Sequence, residues 1–308
     1  MPAMRFAIAI PQLYGDGEFD PDAFCAYFAR AEELGFESAW AQEALLAPVH
    51  QLAPVESMAF AAACTSRIRL GCSVLVSTLH TPVHLARSVS TLDQLSRGRI
   101  EVGVGTGGKA RPFAAFGLDP EHYVTRFTEG LALMKLLWTE PQVTFDGQFW
   151  QLEDAPMEPK PFQKPFPPIW IGGNGPTALR RAARIGTGFF GGGSAPTATF
   201  AEQVRIVRQA LSESGQPERE FGIAKRVYIA VGADPERARD QLNAGLERLY
   251  GRRVAAIEAA GIAGRPDECA RAVGDVAAAG AELLLFTPLS DLAAQAELLA
   301  AEVIPQIE

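Results

Sequence analysis

Histidine and cysteine are scarce in this 308-residue chain, with four of each. Cys25, Cys64, Cys72 and Cys269 lie far apart and make no Cys-x-x-Cys pair. No metal site is expected from them, and buried free thiols in a reducing cytoplasm are the reading they support. Basic runs are also missing. With 28 Lys and Arg against 36 Asp and Glu, the formal net charge is −8, which argues against a nucleic-acid groove. No apolar run approaches the length needed to cross a bilayer, so no membrane association is expected. The N-terminal stretch "MPAMRFAIAIPQLYGDG" meets Pro11 and then turn residues, which fits a first strand better than a signal peptide. What remains is an expected cytoplasmic globular chain, 48% hydrophobic and 21% charged, long enough for one large domain or two.

Glycine is plentiful by contrast. "GRIEVGVGTGG" (98–108) spells G-x-G-x-x-G at Gly103, Gly105 and Gly108. The dinucleotide fingerprint requires a helix opening at the third glycine and an acidic residue about 20 positions on, at the end of a second strand. Here Lys109, Ala110, Arg111 and Pro112 follow, then "FAAFGLDPEH", and residues 122–138 read as a helix. The context of a Rossmann domain is absent, and the glycines need another explanation.

Eight strand-like runs occur, at 5–10, 37–42, 68–76, 100–105, 168–173, 187–192, 222–231 and 282–288. Most are almost continuously apolar, as in a parallel sheet covered on both faces. Helical patterns separate them. Asp20–Pro21 and Thr81–Pro82 read as helix starts, Tyr123, Phe127, Leu131 and Met134 mark another helix, and Ser290 opens the last. Strands alternating with helices predict right-handed crossovers. Eight units in one chain predict an α/β fold, a single (β/α)8 TIM barrel over residues 1–308. Two insertions are expected. One is a β-hairpin around Asp146–Gly147 followed by the proline-rich connector "PMEPKPFQKPFPP" before the fifth strand. The other is a helical excursion at 235–265 before the eighth.

Barrels place function at the C-terminal ends of their strands. Those ends carry Gln12 and Tyr14, Gln42 and Glu43, Ser73 to Ser77, "GTGG" (105–108), "GGNGP" (172–176) and "GGGS" (191–194). Three glycine-rich ends on adjacent strands suit a flat or phosphorylated cofactor lying against exposed backbone amides. Gly175–Pro176 opens a helix at the mouth, which is an anion site by geometry.

The chain resembles the bacterial luciferase-like superfamily of flavin- and deazaflavin-dependent oxidoreductases. The likeness is carried by "ESAWAQE" (37–43), "RIRLGCSVLV" (67–76), "TLDQLSRGRIEVGVGTGG" (91–108), "FTEGLALMKLLWTE" (127–140), "PKPFQKPFPPIWIGGNGPTALRRAARIGTGFF" (159–190) and "KRVYIAV" (225–231). The resemblance implies a (β/α)8 barrel, a homodimer and a non-prolyl cis peptide at Ser73–Val74 backing the ring system. It also implies cofactor contacts from Thr106, Gly107 and Gly108, and a phosphate held by Gly172, Gly173, Asn174 and Gly175. Gly192, on the sixth strand's end, joins this set. Glu43 matches an acidic position near the ring.

Two departures narrow the chemistry. The deazaflavin sugar-phosphate dehydrogenases of the superfamily have Asp-His at the end of the second strand, where this chain has Glu43–Ala44. They carry Glu where Gly108 stands. Their acid/base scheme on a sugar phosphate is therefore not expected. His84 and His122 fall at helix starts and read as structural or surface residues, whereas His80 and His50 lie in loops at the active end. The expected activity is hydride transfer between the deazaflavin coenzyme F-420 and a small organic substrate, with Glu43 and His80 as catalytic candidates. Tyr14, Phe113 and Tyr250 are candidates for the substrate wall, and Trp40 reads as core. An FMN-dependent monooxygenase using molecular oxygen is the alternative. A flavin-binding barrel without turnover and a phosphosugar barrel without redox chemistry are further readings.

Overall fold

The computed structural model describes residues 4–15, 17–46, 49–107, 113–215 and 220–307. Twelve strands are present among these. They are β1 (Arg5–Ala9), β2 (Ser38–Ala41), β3 (Arg69–Cys72), β4 (Leu75–Val76), β5 (Ile100–Gly105), β6 (Val143–Asp146), β7 (Gln151–Ala155), β8 (Ile169–Gly172), β9 (Gly188–Gly191), β10 (Gly222–Val231), β11 (Ile262–Gly264) and β12 (Leu283–Thr287). Eight of them close a parallel barrel in the order β1-β2-β3-β5-β8-β9-β10-β12 and back to β1. This is the expected (β/α)8 fold. The crossovers run through α1 (Pro21–Glu33), α2 (Pro54–Cys64), α3 (Pro82–Leu95), α4 (Tyr123–Thr139), α5 (Pro176–Ile185), α6 (Thr197–Ser214), α7 (Pro235–Tyr250), α8 (Ala255–Ala260) and α9 (Pro266–Ala278), and α10 (Leu292–Leu298) follows the last strand.

Strand alternation divides the apolar residues into two cores. Ile8, Ala39, Leu70, Val102, Ile171, Phe189, Ile223 and Leu284 face the helices. Ala7, Trp40, Trp170, Phe190, Ala224, Leu283 and Leu285 fill the barrel interior. Two indoles dominate that interior, edge to face at 6.0 Å. Phe190 packs against both rings, and the strand positions directly under the rings must be small. A Cβ on Gly71 would come within 2.5 Å of the Trp40 ring, and one on Gly188 or Gly222 within 2.4 or 2.5 Å of Trp170. Several glycines in the strands are thus room for tryptophan. Gly103 has the same kind of reason, since a Cβ there would lie 1.8 Å from the Cys72 carbonyl.

Local details depart from the sequence reading. The third strand run breaks into β3 and β4 at the Ser73–Val74 peptide, which is cis as the family resemblance implied. The hairpin forms from β6 and β7, but Asp146 pairs with Gln151, so the turn is longer than Asp146–Gly147. The Glu129 carboxylate on α4 holds that turn by accepting the amides of Gln148, Phe149 and Trp150. The excursion at 235–265 contains a strand as well as helices, because β11 adds in parallel to the end of β10. Asp20 caps α1 through the Asp22 and Ala23 amides, whereas Thr81 starts α3 without a side-chain cap. The last helix begins at Leu292 behind Asp291 rather than at Ser290.

The expectation of four free thiols is corrected. Cys25 on α1 and Cys64 on α2 are joined by a disulfide, with Cα atoms 5.3 Å apart. The two helices pack side by side, and no sequence spacing announces a pair 39 positions apart. Cys72 and Cys269 are free and buried. Burial pushes the Cys269 thiol up to about 12, so it stays protonated and inert. Among the described residues, no helix is long and apolar enough to cross a membrane, and no cluster of three metal-ligating side chains occurs.

Candidate active site

The C-terminal mouth of the barrel has two halves, and the Ser73–Val74 turn stands between them. On one side are the glycine-rich ends of β5, β8 and β9. A Cβ on Gly172 would meet Val74 Cγ1 at 3.1 Å, and one on Gly105 would meet Val74 Cγ2 at 2.8 Å. These two glycines are explained by the valine they accommodate. Gly173 is explained by the entry to α5, because its Cβ would meet that of Ala178 at 2.9 Å. Gly175 has open space around it, and Gly192 has only Ser194 Oγ at 3.9 Å. Gly175 is also the N-cap of α5, with no side-chain cap on the helix and Pro176 next. Asn174 beside it is exposed. Free amides and a helix dipole therefore meet solvent there, an arrangement that accepts an anion. The Thr106 carbonyl accepts from Thr78 Oγ1 at 3.1 Å, and Gly107 has a positive φ of 73°. Gly108 lies outside the described residues.

Glu43 follows β2 and is buried. A buried carboxylate needs partners, and both of its oxygens have one. Oε2 accepts the Val76 amide at 2.5 Å, and Oε1 lies 2.8 Å from His80 Nε2. His80 closes the 3-10 turn Ser77–Leu79 after β4, and its side chain keeps 27% exposure. With the carboxylate ionised, Nε2 is the donor, which leaves Nδ1 to take or release a proton. The two catalytic candidates are thus one unit. Each Glu43 oxygen is thus committed to a protein donor.

The other half of the mouth is dominated by a residue that the sequence reading assigned no role. Arg226 on β10 has the parity of Ala224, so it enters the barrel interior, and it is 5% exposed. Its guanidinium donates to Gln42 Oε1 (3.1 Å), Thr287 Oγ1 (3.3 Å), the Ala41 carbonyl (3.3 Å), the Ser73 carbonyl (3.0 Å) and Ser73 Oγ (2.6 Å). It ties β2, the turn after β3, and β12 to β10. Gln42 is steadied in turn, since Gln12 Oε1 accepts its amide at 2.7 Å. None of these partners is charged. Neighbouring Lys225 points the other way and donates to the Gly192 and Ala195 carbonyls. Desolvation, helped by the charge of Arg226, pushes its ammonium down to about 7. Lys225 thereby holds the loop that carries Gly192. A signal for both residues existed: two cations side by side in the apolar run "GIAKRVYIAV" are rare in a buried strand.

A cavity of about 340 Å³ opens here, at the ends of β1, β2, β10 and β12, with Gln12, Tyr14, Trp40, Arg226, Arg248 and Asp291 in its wall. Tyr14 lines this cavity. Trp40 is core, 1% exposed, and also the cavity floor. Phe113 is buried against Tyr123 and Tyr250 hydrogen-bonds Tyr228 at 3.0 Å; neither lines the cavity. His50 reaches the Gly15 carbonyl through Nδ1, and His84 and His122 are exposed.

Comparison with known proteins agrees with this architecture. The luciferase-like monooxygenase family matches residues 4–283. An F420-dependent glucose-6-phosphate dehydrogenase of Kineococcus radiotolerans is 30% identical over 229 residues, 72% of this chain and 67% of that protein. The monooxygenase RslO1 of Streptomyces bottropensis superposes with a TM-score of 0.86 at 26% identity, over 99% of this chain and all of that one. The coenzyme F420-dependent tetrahydromethanopterin reductase of Methanopyrus kandleri shares the fold, with a TM-score of 0.82 at 22% identity over 99% of both chains. A closed barrel interrupted at Ser73–Val74 and matched along nearly its whole length leaves one assignment: the chain belongs to the luciferase-like monooxygenase family.

Proposed function

We propose that this protein is an oxidoreductase that binds the deazaflavin coenzyme F-420 and exchanges a hydride between it and a small organic substrate at the barrel mouth. The observation that carries the reading is the placement, at one end of one barrel, of an uncapped helix terminus and a buried carboxylate–imidazole pair. The residues fit such a cofactor. Gly175 and Gly192 leave room for a phosphate-bearing chain, and Val74 offers an apolar backing between two glycines. The F420-dependent Kineococcus relative supports the choice of coenzyme. The bound coenzyme supplies the hydride chemistry. The chain supplies position and a proton: the α5 amides orient the phosphate, Arg226 braces the Ser73–Val74 turn, His80 exchanges a proton through Nδ1, and Glu43 fixes its ring. An FMN-dependent monooxygenase is the second reading, favoured by the likeness to the Streptomyces monooxygenase.

Titration of the purified protein with F-420 and FMN side by side tests the choice. Micromolar binding of reduced F-420, oxidised only when an acceptor is added and without oxygen, is the expected result. Tight FMN binding with no F-420 binding overturns it and moves the protein to the monooxygenase reading.

A further inference from the structure

The cavity beside Arg226 has an unusual charge balance. Among the described residues, the charged side chains in its wall are those of Arg226, Arg248 and Asp291, a net charge of one positive. Among the described residues none of the three is in an ion pair. Arg226 spends both terminal nitrogens on neutral oxygens of the protein, so its main contribution is a fixed positive field. Arg248, in the last turn of α7, makes one hydrogen bond, from NH2 to the Leu289 carbonyl at 3.1 Å. Its remaining fork is available. The rest of the wall includes Ile10, Leu13, Trp40 and Leu292, an apolar lining beneath the solvent-facing Arg248 and Asp291. Arginine's planar fork matches a carboxylate in a two-bond grip.

From this we infer that the cavity takes the carboxylate of a small organic acid, gripped by Arg248 over the fixed charge of Arg226. The charge count selects a monoanion. A phosphate monoester dianion would leave the wall net negative beside Asp291. The volume sets the size: at about 30 Å³ for each water displaced, 340 Å³ holds a molecule of roughly ten non-hydrogen atoms. The inference names the substrate class for the mouth described above and rests on that mouth being the reaction site.

Calorimetric titration tests it, on the protein alone and on the protein saturated with F-420, using benzoate, benzamide and inorganic phosphate as probes at pH 8. Benzoate is expected to bind at least tenfold more tightly than benzamide, and more tightly than phosphate. Arg248→Gln should erase the advantage of benzoate over benzamide. Asp291→Asn, at a left-handed position that asparagine tolerates, should tighten benzoate and admit phosphate. Equal binding of benzoate and benzamide, no binding of either, or an advantage that survives Arg248→Gln overturns the inference. So does displacement of benzoate by F-420, which would give the cavity to the cofactor. Failure of F-420 to bind the wild-type protein while the benzoate pattern holds counts against the proposed cofactor and leaves the carboxylate site standing.

Discussion

The two ends of this barrel treat charge in opposite ways. At the N-terminal end, Arg5 forks onto Glu37 at 2.6 and 2.5 Å, and Arg69 meets Glu101 at 2.5 Å. The second oxygen of Glu101 accepts from Trp170 Nε1. Arg69 also reaches Gln163, which Asp93 holds in place, so the same network pins the proline-rich connector. At the C-terminal end, Arg226 is as buried as Glu101 but is met only by amide, hydroxyl and carbonyl oxygens. Pairing neutralises a buried charge and closes the barrel, and the residues involved have no field to offer a ligand. Leaving a cation unpaired costs stability and preserves a field. The contrast matches the general division of such barrels into a stabilising bottom and a reactive top.

Breaking the bottom should give the largest effect, and on stability alone. Glu101→Ala removes the carboxylate that Arg69 and the Trp170 indole share. Denaturant unfolding should show a loss of about 3–5 kcal/mol, toward the lower end because the Arg69 side chain keeps 26% exposure. Cofactor affinity of the folded fraction should be unchanged. A matching loss of affinity would mean that the two ends are not separable.

At the top, His80→Ala should lower kcat about 100-fold, or about 2.7 kcal/mol, with little change in cofactor affinity and partial rescue by added imidazole. Glu43→Gln should cost less, because its part is to hold the ring. The double variant should be no slower than His80→Ala alone, which is the signature of two groups acting as one. Additive losses would show that the carboxylate acts separately from the imidazole.

The smallest effect sharpens the comparison by separating binding from folding. Gly175 has open space, and its φ of −89° and ψ of 157° suit any residue. Gly175→Asp puts a favoured cap on α5 and a negative charge at the proposed phosphate position. The melting temperature should hold or rise slightly, while F-420 affinity falls about tenfold, or about 1.4 kcal/mol. Unchanged affinity would show that the phosphate lies elsewhere.

The eight-strand order, the crossovers, the hairpin and the glycine-rich ends were all legible in the chain, because each follows from local periodicity and turn chemistry. Burial of both strand faces makes near-continuous apolar runs, and strand glycines mark the places where a neighbouring side chain such as Trp40 or Val74 needs the room. The family likeness added the cis Ser73–Val74 bond, which no local pattern specifies. What only the tertiary structure decided are the partnerships across the chain. Glu43 and His80 lie 37 positions apart, Arg226 reaches Ser73 over 153, and Cys25 finds Cys64 over 39. Whether an ionisable side chain meets an acid, a carbonyl or open space depends on barrel closure and strand register, which bring distant residues to one rim. Periodicity along the sequence says which face of a strand a residue takes, and leaves open what it will find there.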